Sequence, residues 1–202
     1  MAISVTAAND SPTVTVAARG TCGTDDHSGT ITLTVGDMEN AATTLTVNAT
    51  SSNPSLVPSG NVVFSGSGDT RRLTVSAVDG RTGTAIVTAT VSDGQDSGQV
   101  EVTVRVGGSG KDTITGGSST DLIFAQSNND TPTGGDGNDL LCGHSGSDTL
   151  SGGGGDDSAG GGAGTDRLTS GSGPDYFSGG SGTDAATDFI AAEGDTTDGT
   201  IP

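Results

Sequence analysis

Two kinds of periodicity divide the chain. Up to about residue 106, short runs alternate between polar and apolar side chains. The candidates are 13–16, 30–35, 43–48, 61–64, 71–78, 84–91 and 99–106. RLTVSAV, TAIVTATV and VEVTVRV show the alternation most clearly, with Thr or charged residues between Val, Leu and Ile. A period of two puts one face of a strand on a core and the other in water. Turn signals separate the runs, among them Gly36-Asp37, Asn53-Pro54, Asp79-Gly80 and Asp93-Gly94. Seven short strands in about 100 residues predict an immunoglobulin-like β-sandwich.

From Gly107 to Thr187 the period changes to nine. These 81 residues divide without insertion into GGSGKDTIT, GGSSTDLIF, AQSNNDTPT, GGDGNDLLC, GHSGSDTLS, GGGGDDSAG, GGAGTDRLT, SGSGPDYFS and GGSGTDAAT. The sixth position is Asp every time: Asp112, Asp121, Asp130, Asp139, Asp148, Asp157, Asp166, Asp175 and Asp184. Glycines recur at positions one, two and four, where they permit positive φ and close backbone approach. Such a loop can aim several carbonyl oxygens at one point, and the Asp adds carboxylate oxygen. A hard cation with six to eight oxygen ligands, Ca2+, suits that donor set. Softer metals are poorly served where Cys and His do not recur. The eighth position is the apolar one, with Ile114, Ile123, Pro132, Leu141, Leu150, Ala159, Leu168, Phe177 and Ala186 expected inside.

Composition sharpens the division. The chain has 202 residues, is 29% hydrophobic and 2% aromatic, and contains 36 glycines, so any core is thin. Residues 1–106 carry ten acidic and five basic residues; residues 107–202 carry fifteen and two. A net charge of −18 argues against nucleic acid, whose affinity rests on Lys and Arg, and against anionic membrane surfaces. No apolar run approaches a membrane span. No signal peptide is visible at Met1, and the strand-like opening reads as a piece cut from a longer protein.

The nonapeptide resembles the RTX (repeats-in-toxin, or hemolysin-type) calcium-binding motif GGxGxDxUx, U being a large apolar residue. The resemblance implies a right-handed parallel β-roll over 107–202, two nonapeptides per coil, with a C-terminal cap from about residue 188 in which Phe189 and Ile190 cover the last coil. It places each Ca2+ between loops two repeats apart, so the pairs 112/130, 130/148, 148/166, 166/184, 121/139, 139/157 and 157/175 give at most about seven ions. The loop glycines implied as ligands are Gly108, Gly110, Gly117, Gly135, Gly137, Gly146, Gly153, Gly155, Gly162, Gly164, Gly171, Gly173, Gly180 and Gly182. The third repeat, AQSNND, lacks all three glycines and carries Pro132. It is expected to be the weakest, with repeats four to eight the strongest.

Residues 10–106 resemble the cadherin-like or immunoglobulin-like repeats of bacterial surface proteins, through NATSSNPSLVPSGNVVFSGSGDTRRLTVSAVDGRTGTAIVTATVSDG. On that likeness residues 1–106 form one module, with 1–9 the remnant of an upstream copy. Asn9-Asp10, Asp37-Met38-Glu39 and Asp93 are potential oxygen donors but read first as turn residues bonded to local backbone.

No catalytic constellation emerges. Gly143-His144-Ser145-Gly146-Ser147 fails the last position of a nucleophile elbow, and Gly110-Lys111 is followed by Asp112 rather than Ser or Thr. His27 and His144 read as exposed loop residues. Asp25-Asp26 and Asp156-Asp157 read as solvated turns or ion sites. Cys22 and Cys142 lie one in each half; a bridge across the junction is geometrically open, but free or intermolecularly paired thiols are favoured. The expectation is a non-enzymatic, calcium-binding, secreted or cell-surface bacterial protein of adhesin type. It folds on calcium outside the cell and has a possible extracellular partner or self-association. The alternative is the non-catalytic, calcium-binding export module at the C-terminus of a secreted enzyme.

Overall fold

A computed structural model describes residues 8–201 and is almost entirely β. Most of the expected upstream remnant, residues 1–7, lies outside the described residues. Each alternating run of the first half becomes a strand: β1 (Thr13–Cys22), β2 (Ser28–Gly36), β3 (Thr46–Ser51), β4 (Val62–Ser65), β5 (Thr70–Ser76), β6 (Gly83–Ser92) and β7 (Ser97–Val106). One antiparallel sheet runs β1-β2-β5-β4, and β3, β6 and β7 pair antiparallel in another. The inward residues of the alternation meet between them. Ile31 and Leu33 of β2, Leu73 and Val75 of β5, Val87 of β6 and Val102 and Val104 of β7 share one buried cluster. Burying each such side chain contributes about 1.5–3 kcal/mol, which offsets the ordering entropy of strands whose outer face is Thr and Ser.

The second half is a β-solenoid of about five turns. Odd repeats supply β8 (Thr113–Thr115), β10 (Thr131–Asp136), β12 (Thr149–Gly154), β14 (Arg167–Ser172) and β16 (Ala185–Thr187), which form a five-stranded parallel sheet. Even repeats supply β9 (Asp121–Phe124), β11 (Leu140–Ser145), β13 (Ser158–Gly164) and β15 (Tyr176–Gly182). After them comes β17 (Thr196–Thr197), past the repeat period. Neighbouring strands pair residues one coil apart, as in Leu150 with Leu168 and Leu141 with Ala159. The eighth positions therefore stack into a narrow core of Ile123, Leu141, Leu150, Ala159, Leu168 and Phe177, with Ile114 and Ala186 at its margins. Most strands run beyond position nine into the glycines of the next repeat, so the loops are partly sheet. Among the described residues no helix is long and apolar enough to cross a membrane.

The two halves share a sheet. β7 pairs in parallel with β9, from Thr103 opposite Asp121 to Val106 opposite Phe124. The result is an eight-stranded sheet of order β17-β15-β13-β11-β9-β7-β6-β3 that crosses the boundary at residue 106. The other sheet covers the outer face of its first coils. Positions seven and nine point outward and are polar or small in most repeats, but repeats two and four carry Leu122, Phe124, Leu140 and Cys142 there. All four are at most 1% exposed and belong to the same cluster as Ile31 and Leu33. Gly29 makes the close approach possible: a Cβ there would lie 2.8 Å from Leu140 and 2.9 Å from Phe124.

Two expectations need correction here. Cys22 and Cys142 are bridged, with their Cα atoms 5.8 Å apart and a sequence separation of 120. The end of β1 lies across the outer face of β11, and Cys142 points out of the coil toward it. Phe189 and Ile190 do not cover the last coil; they are 41% and 39% exposed. The end is closed by β17, paired to β15, and by Ile201, which is 7% exposed and joins the solenoid core. The chain turns outward at 188–194 because the backbone N–H of Ile190 is drawn to Asp195 (2.8 Å), leaving the adjoining side chains on the solvent side.

Candidate metal centre

Each strand of the repeats begins at or just after its repeat's Asp, so the carboxylates stack along two edges of the roll. From Asp121 to Asp184 they are at most 3% exposed. One oxygen of each is spent on the coil before. Oδ1 of Asp130, Asp139, Asp148, Asp157, Asp166, Asp175 and Asp184 accepts the backbone N–H of the Asp eighteen residues earlier, at 2.7–2.9 Å. The carboxylate thus stitches adjacent coils and fixes its own orientation.

The second oxygen has no such partner. Oδ2 of those same seven residues is buried without a hydrogen bond. Leaving a buried acceptor unpaired costs roughly 1–3 kcal/mol, more when it is charged. Seven in register along one molecule is a pattern and not a lapse of packing. In five of the seven repeats Oδ2 lies over the glycine at position one. A Cβ on Gly134, Gly143, Gly152 or Gly161 would lie 2.2–2.4 Å from the Oδ2 of Asp139, Asp148, Asp157 or Asp166. Room at position one is therefore short in these four repeats, a constraint that differs from the positive φ argued at positions two and four, while repeats three and eight accommodate Ala125 and Ser170 there.

The loop conformation marks the same seven repeats. Positions two and four take positive φ from repeat three (Gln126, 79°; Asn128, 77°) through repeat nine (Gly180, 91°; Gly182, 141°). Repeat three, expected to hold the weakest ion site, thus keeps the loop geometry of its neighbours. Gln126 and Asn128 adopt the left-handed geometry that glycine adopts elsewhere, at a cost of roughly 1–2 kcal/mol for a residue with a Cβ, least for Asn. Asn128 is further tied by its side-chain N–H to the carbonyl of Ser109. Pro132 sits buried in β10 opposite Ile114 without breaking the strand.

The first two repeats differ despite their glycines. Gly108, Gly110 and Gly117 are not among the residues with positive φ. Gly108 instead donates its backbone N–H to Asp112 Oδ2 at 2.7 Å, and Gly117 donates to Asp121 Oδ2 at 2.9 Å. The guanidinium of Arg105 donates to Asp121 Oδ1 at 2.6 Å. Both oxygens of Asp121 are thereby occupied by the protein. At the far end the ladder has a tenth rung. Asp195 Oδ1 accepts the N–H of Asp175 at 3.1 Å, and its Oδ2 accepts that of Ile190. Its separation of 20 residues from Asp175, where the other rungs have 18, hid it from the nonapeptide register.

Without a cation the interior of the ladder resists ionisation. Burial pushes Asp139 and Asp157 up to about 7, and Asp148 and Asp175 up to about 6, against an ordinary 3.8. Asp130 and Asp166 are raised for the same reason. The backbone N–H bond to each carboxylate opposes the shift, and a neighbouring Asp charge adds to it. A bound cation inverts this balance. All-oxygen donors, orphaned carboxylate oxygens and loop carbonyls fit Ca2+ in kind.

The acidic turns at Asp93 and Asp37 are bonded to local backbone, although Asp37 Oδ2 is buried without a partner. Asp93 is held below the usual carboxylate range by the N–H groups of Asp96 and Gln95, then by Asn9. Asp37 Oδ1 accepts the N–H groups of Glu39 (2.9 Å) and Asn40 (2.6 Å), and Glu39 accepts that of Asp10 (3.1 Å).

A family model of the RTX calcium-binding nonapeptide repeat, in four copies, matches residues 106–132, 133–168 and 160–185. No curated protein and no solved structure matches the chain. Residues 106–185 are RTX calcium-binding repeats on a β-solenoid.

Proposed function

We propose that this chain is a calcium-gated structural module of a secreted bacterial surface protein of adhesin type. Its first half is an immunoglobulin-like or cadherin-like module on which the RTX roll is built. The observation that carries the reading is the set of seven buried, unpartnered Asp Oδ2 atoms in seven loops of one conformation. Their number equals the seven loop pairs that the repeat spacing allows.

The residues assigned to ions are Asp130, Asp139, Asp148, Asp157, Asp166, Asp175 and Asp184, each with loop carbonyls at positions two and four of its own repeat and of the repeat one coil earlier. Asp112 and Asp121 contribute less, because backbone N–H groups and Arg105 already hold their oxygens. Bound Ca2+ supplies positive charge where the fold has gathered negative charge. The chain's own residues do the rest: Oδ1 sets each carboxylate, glycine at position one clears its path, and the eighth-position side chains hold the coils together. Leu, Ile, Val and Phe make up nine of the 81 repeat residues, below the ~20% at which a highly charged chain usually stays disordered. Folding free energy must then come from ion binding. Millimolar calcium outside a cell fills weak oxygen sites that a low-calcium cytosol leaves vacant.

The test is a calcium titration followed at once by circular dichroism, bound-ion stoichiometry and molecular mass. The β signal should rise with ion uptake toward about seven equivalents. Full β structure in excess chelator, with no uptake on adding calcium, would sink the proposal.

A further inference from the structure

The chain has two histidines: His27 stands outside the Asp ladder, in the first half, and His144 belongs to the loop of repeat five. His27 lies in the tight turn between β1 and β2. Its Nδ1 is 2.9 Å from Asp26 Oδ1, and it is about one-fifth exposed. The turn is closed by the N–H of Gly23 donating to Ser28 O at 2.9 Å. The N–H of Ala77 donates to His27 O at 2.8 Å, which pins the β5–β6 turn alongside and brings up Asp79. One donor atom each from Asp26, His27 and Asp79 lie within 4.8 Å of one another. His144 approaches from the solenoid. Its Nε2 is buried with no hydrogen-bond partner, and the charges of Asp26, Asp25 and His27 all act on it. The disulfide Cys22–Cys142 joins the residues just before the turn and just before His144, so it holds the two segments together.

We propose that Asp26, His27 and Asp79 form a site for one divalent transition ion of the zinc class, separate from the calcium ladder. The chemistry is distinct from that of the roll. Imidazole nitrogen favours Zn2+ and its neighbours over Ca2+, which selects oxygen. Zinc binds His nitrogen and carboxylate oxygen at ~2.0–2.2 Å, so two ligands on one ion stand at most ~4.4 Å apart. The three donor atoms, all within 4.8 Å of one another, come to that spacing by a small turn of side chains on two backbone segments already hydrogen-bonded together. A site here ties the first half's turns at the point where they meet the solenoid. It stiffens the corner that the disulfide already anchors.

The experiment uses the full oxidised chain, saturated with Ca2+ and then titrated with Zn2+ by calorimetry, with Co2+ as a spectroscopic stand-in. One equivalent of Zn2+ should bind without displacing Ca2+, and Co2+ should show the visible bands of a nitrogen- and oxygen-ligated ion. His27→Ala and Asp79→Asn should each weaken zinc by about tenfold or more and leave calcium stoichiometry unchanged. Absence of zinc uptake under saturating calcium overturns the proposal. So does uptake that survives both substitutions, which assigns the zinc to the ladder or to scattered surface carboxylates. Because calcium binding is read in the same samples, a failure here is distinct from a failure of the roll.

Discussion

Asp157→Asn should change the sign of its effect with calcium. Asn keeps an oxygen to accept the N–H of Asp139, so the stitch between coils survives. What it removes is a charge at a buried, unpartnered oxygen. The folded, ion-free Asp157 titrates at about 7 against an ordinary 3.8. A raised folded-state pKa means the penalty is absent below the unfolded value, grows between 3.8 and about 7, and is fully present above. At ~1.4 kcal/mol per tenfold, it reaches on the order of 4 kcal/mol at pH 8. The amide NH2 placed there lacks a partner too, costing roughly 1–3 kcal/mol. The variant should therefore gain about 1–3 kcal/mol in chelator at pH 8 and retain more β signal than the parent. In calcium the balance turns. Losing one site at a hundred times its dissociation constant costs ~2.7 kcal/mol, and more if the ion bridges two carboxylates. Urea denaturation by circular dichroism, with and without calcium, measures both. Equal destabilisation in the two conditions would refute the reasoning, because it would show that Asp157 stabilises the ion-free fold.

Acidification from pH 8 to 5 in chelator should increase β structure, since Asp139, Asp148, Asp157 and Asp175 take up protons in the folded state between about 6 and 7. Across the same window in calcium the apparent affinity should fall, with protons released on binding, readable by calorimetry in two buffers. Paired Cys22→Ser and Cys142→Ser substitutions should cost about 4–5 kcal/mol by the chain-entropy account for a loop of this length, seen as a lower thermal midpoint in calcium. Phe124→Ala should cost about 3–5 kcal/mol, whereas Phe189→Ala should stay within ~0.5 kcal/mol; a reversed order would restore Phe189 as the cap.

Much of this arrangement is legible in the residues. The Asp register predicts the ladder because a carboxylate every nine residues, one per coil on each edge, has no other use in a glycine-rich frame. Alternation predicts all seven strands of the first half, though β1 continues to Cys22 through a bulge near Arg19 that breaks its pattern. The shared sheet was harder to read. Its signal was present in DLIF and DLLC, whose outward positions are apolar where other repeats carry Thr, Ser or Gly. Reading only the eighth position hides it, because a solenoid is assumed to face water. Glycine count does not report loop geometry. GGSG in repeat one lacks the loop geometry that AQSN in repeat three adopts, and the repeats without it are the two that have no coil before them. Repeats one and two have β7 and Arg105 on one side in place of a coil.

The parallel pairing of β7 with β9 also sets where the roll can begin. A linear array of coils is a one-dimensional lattice in which the first unit is the costly one, since later units gain a neighbour as they form. Here the first half supplies that neighbour in advance: a finished strand edge, its apolar floor and a covalent tether at Cys142. On the proposed calcium-gated folding, the array is a primed polymer that is expected to grow from its amino-terminal edge, with ions entering in spatial order toward Asp195. Such a system gives a graded, directional zippering with calcium in place of the abrupt threshold of an unseeded repeat array.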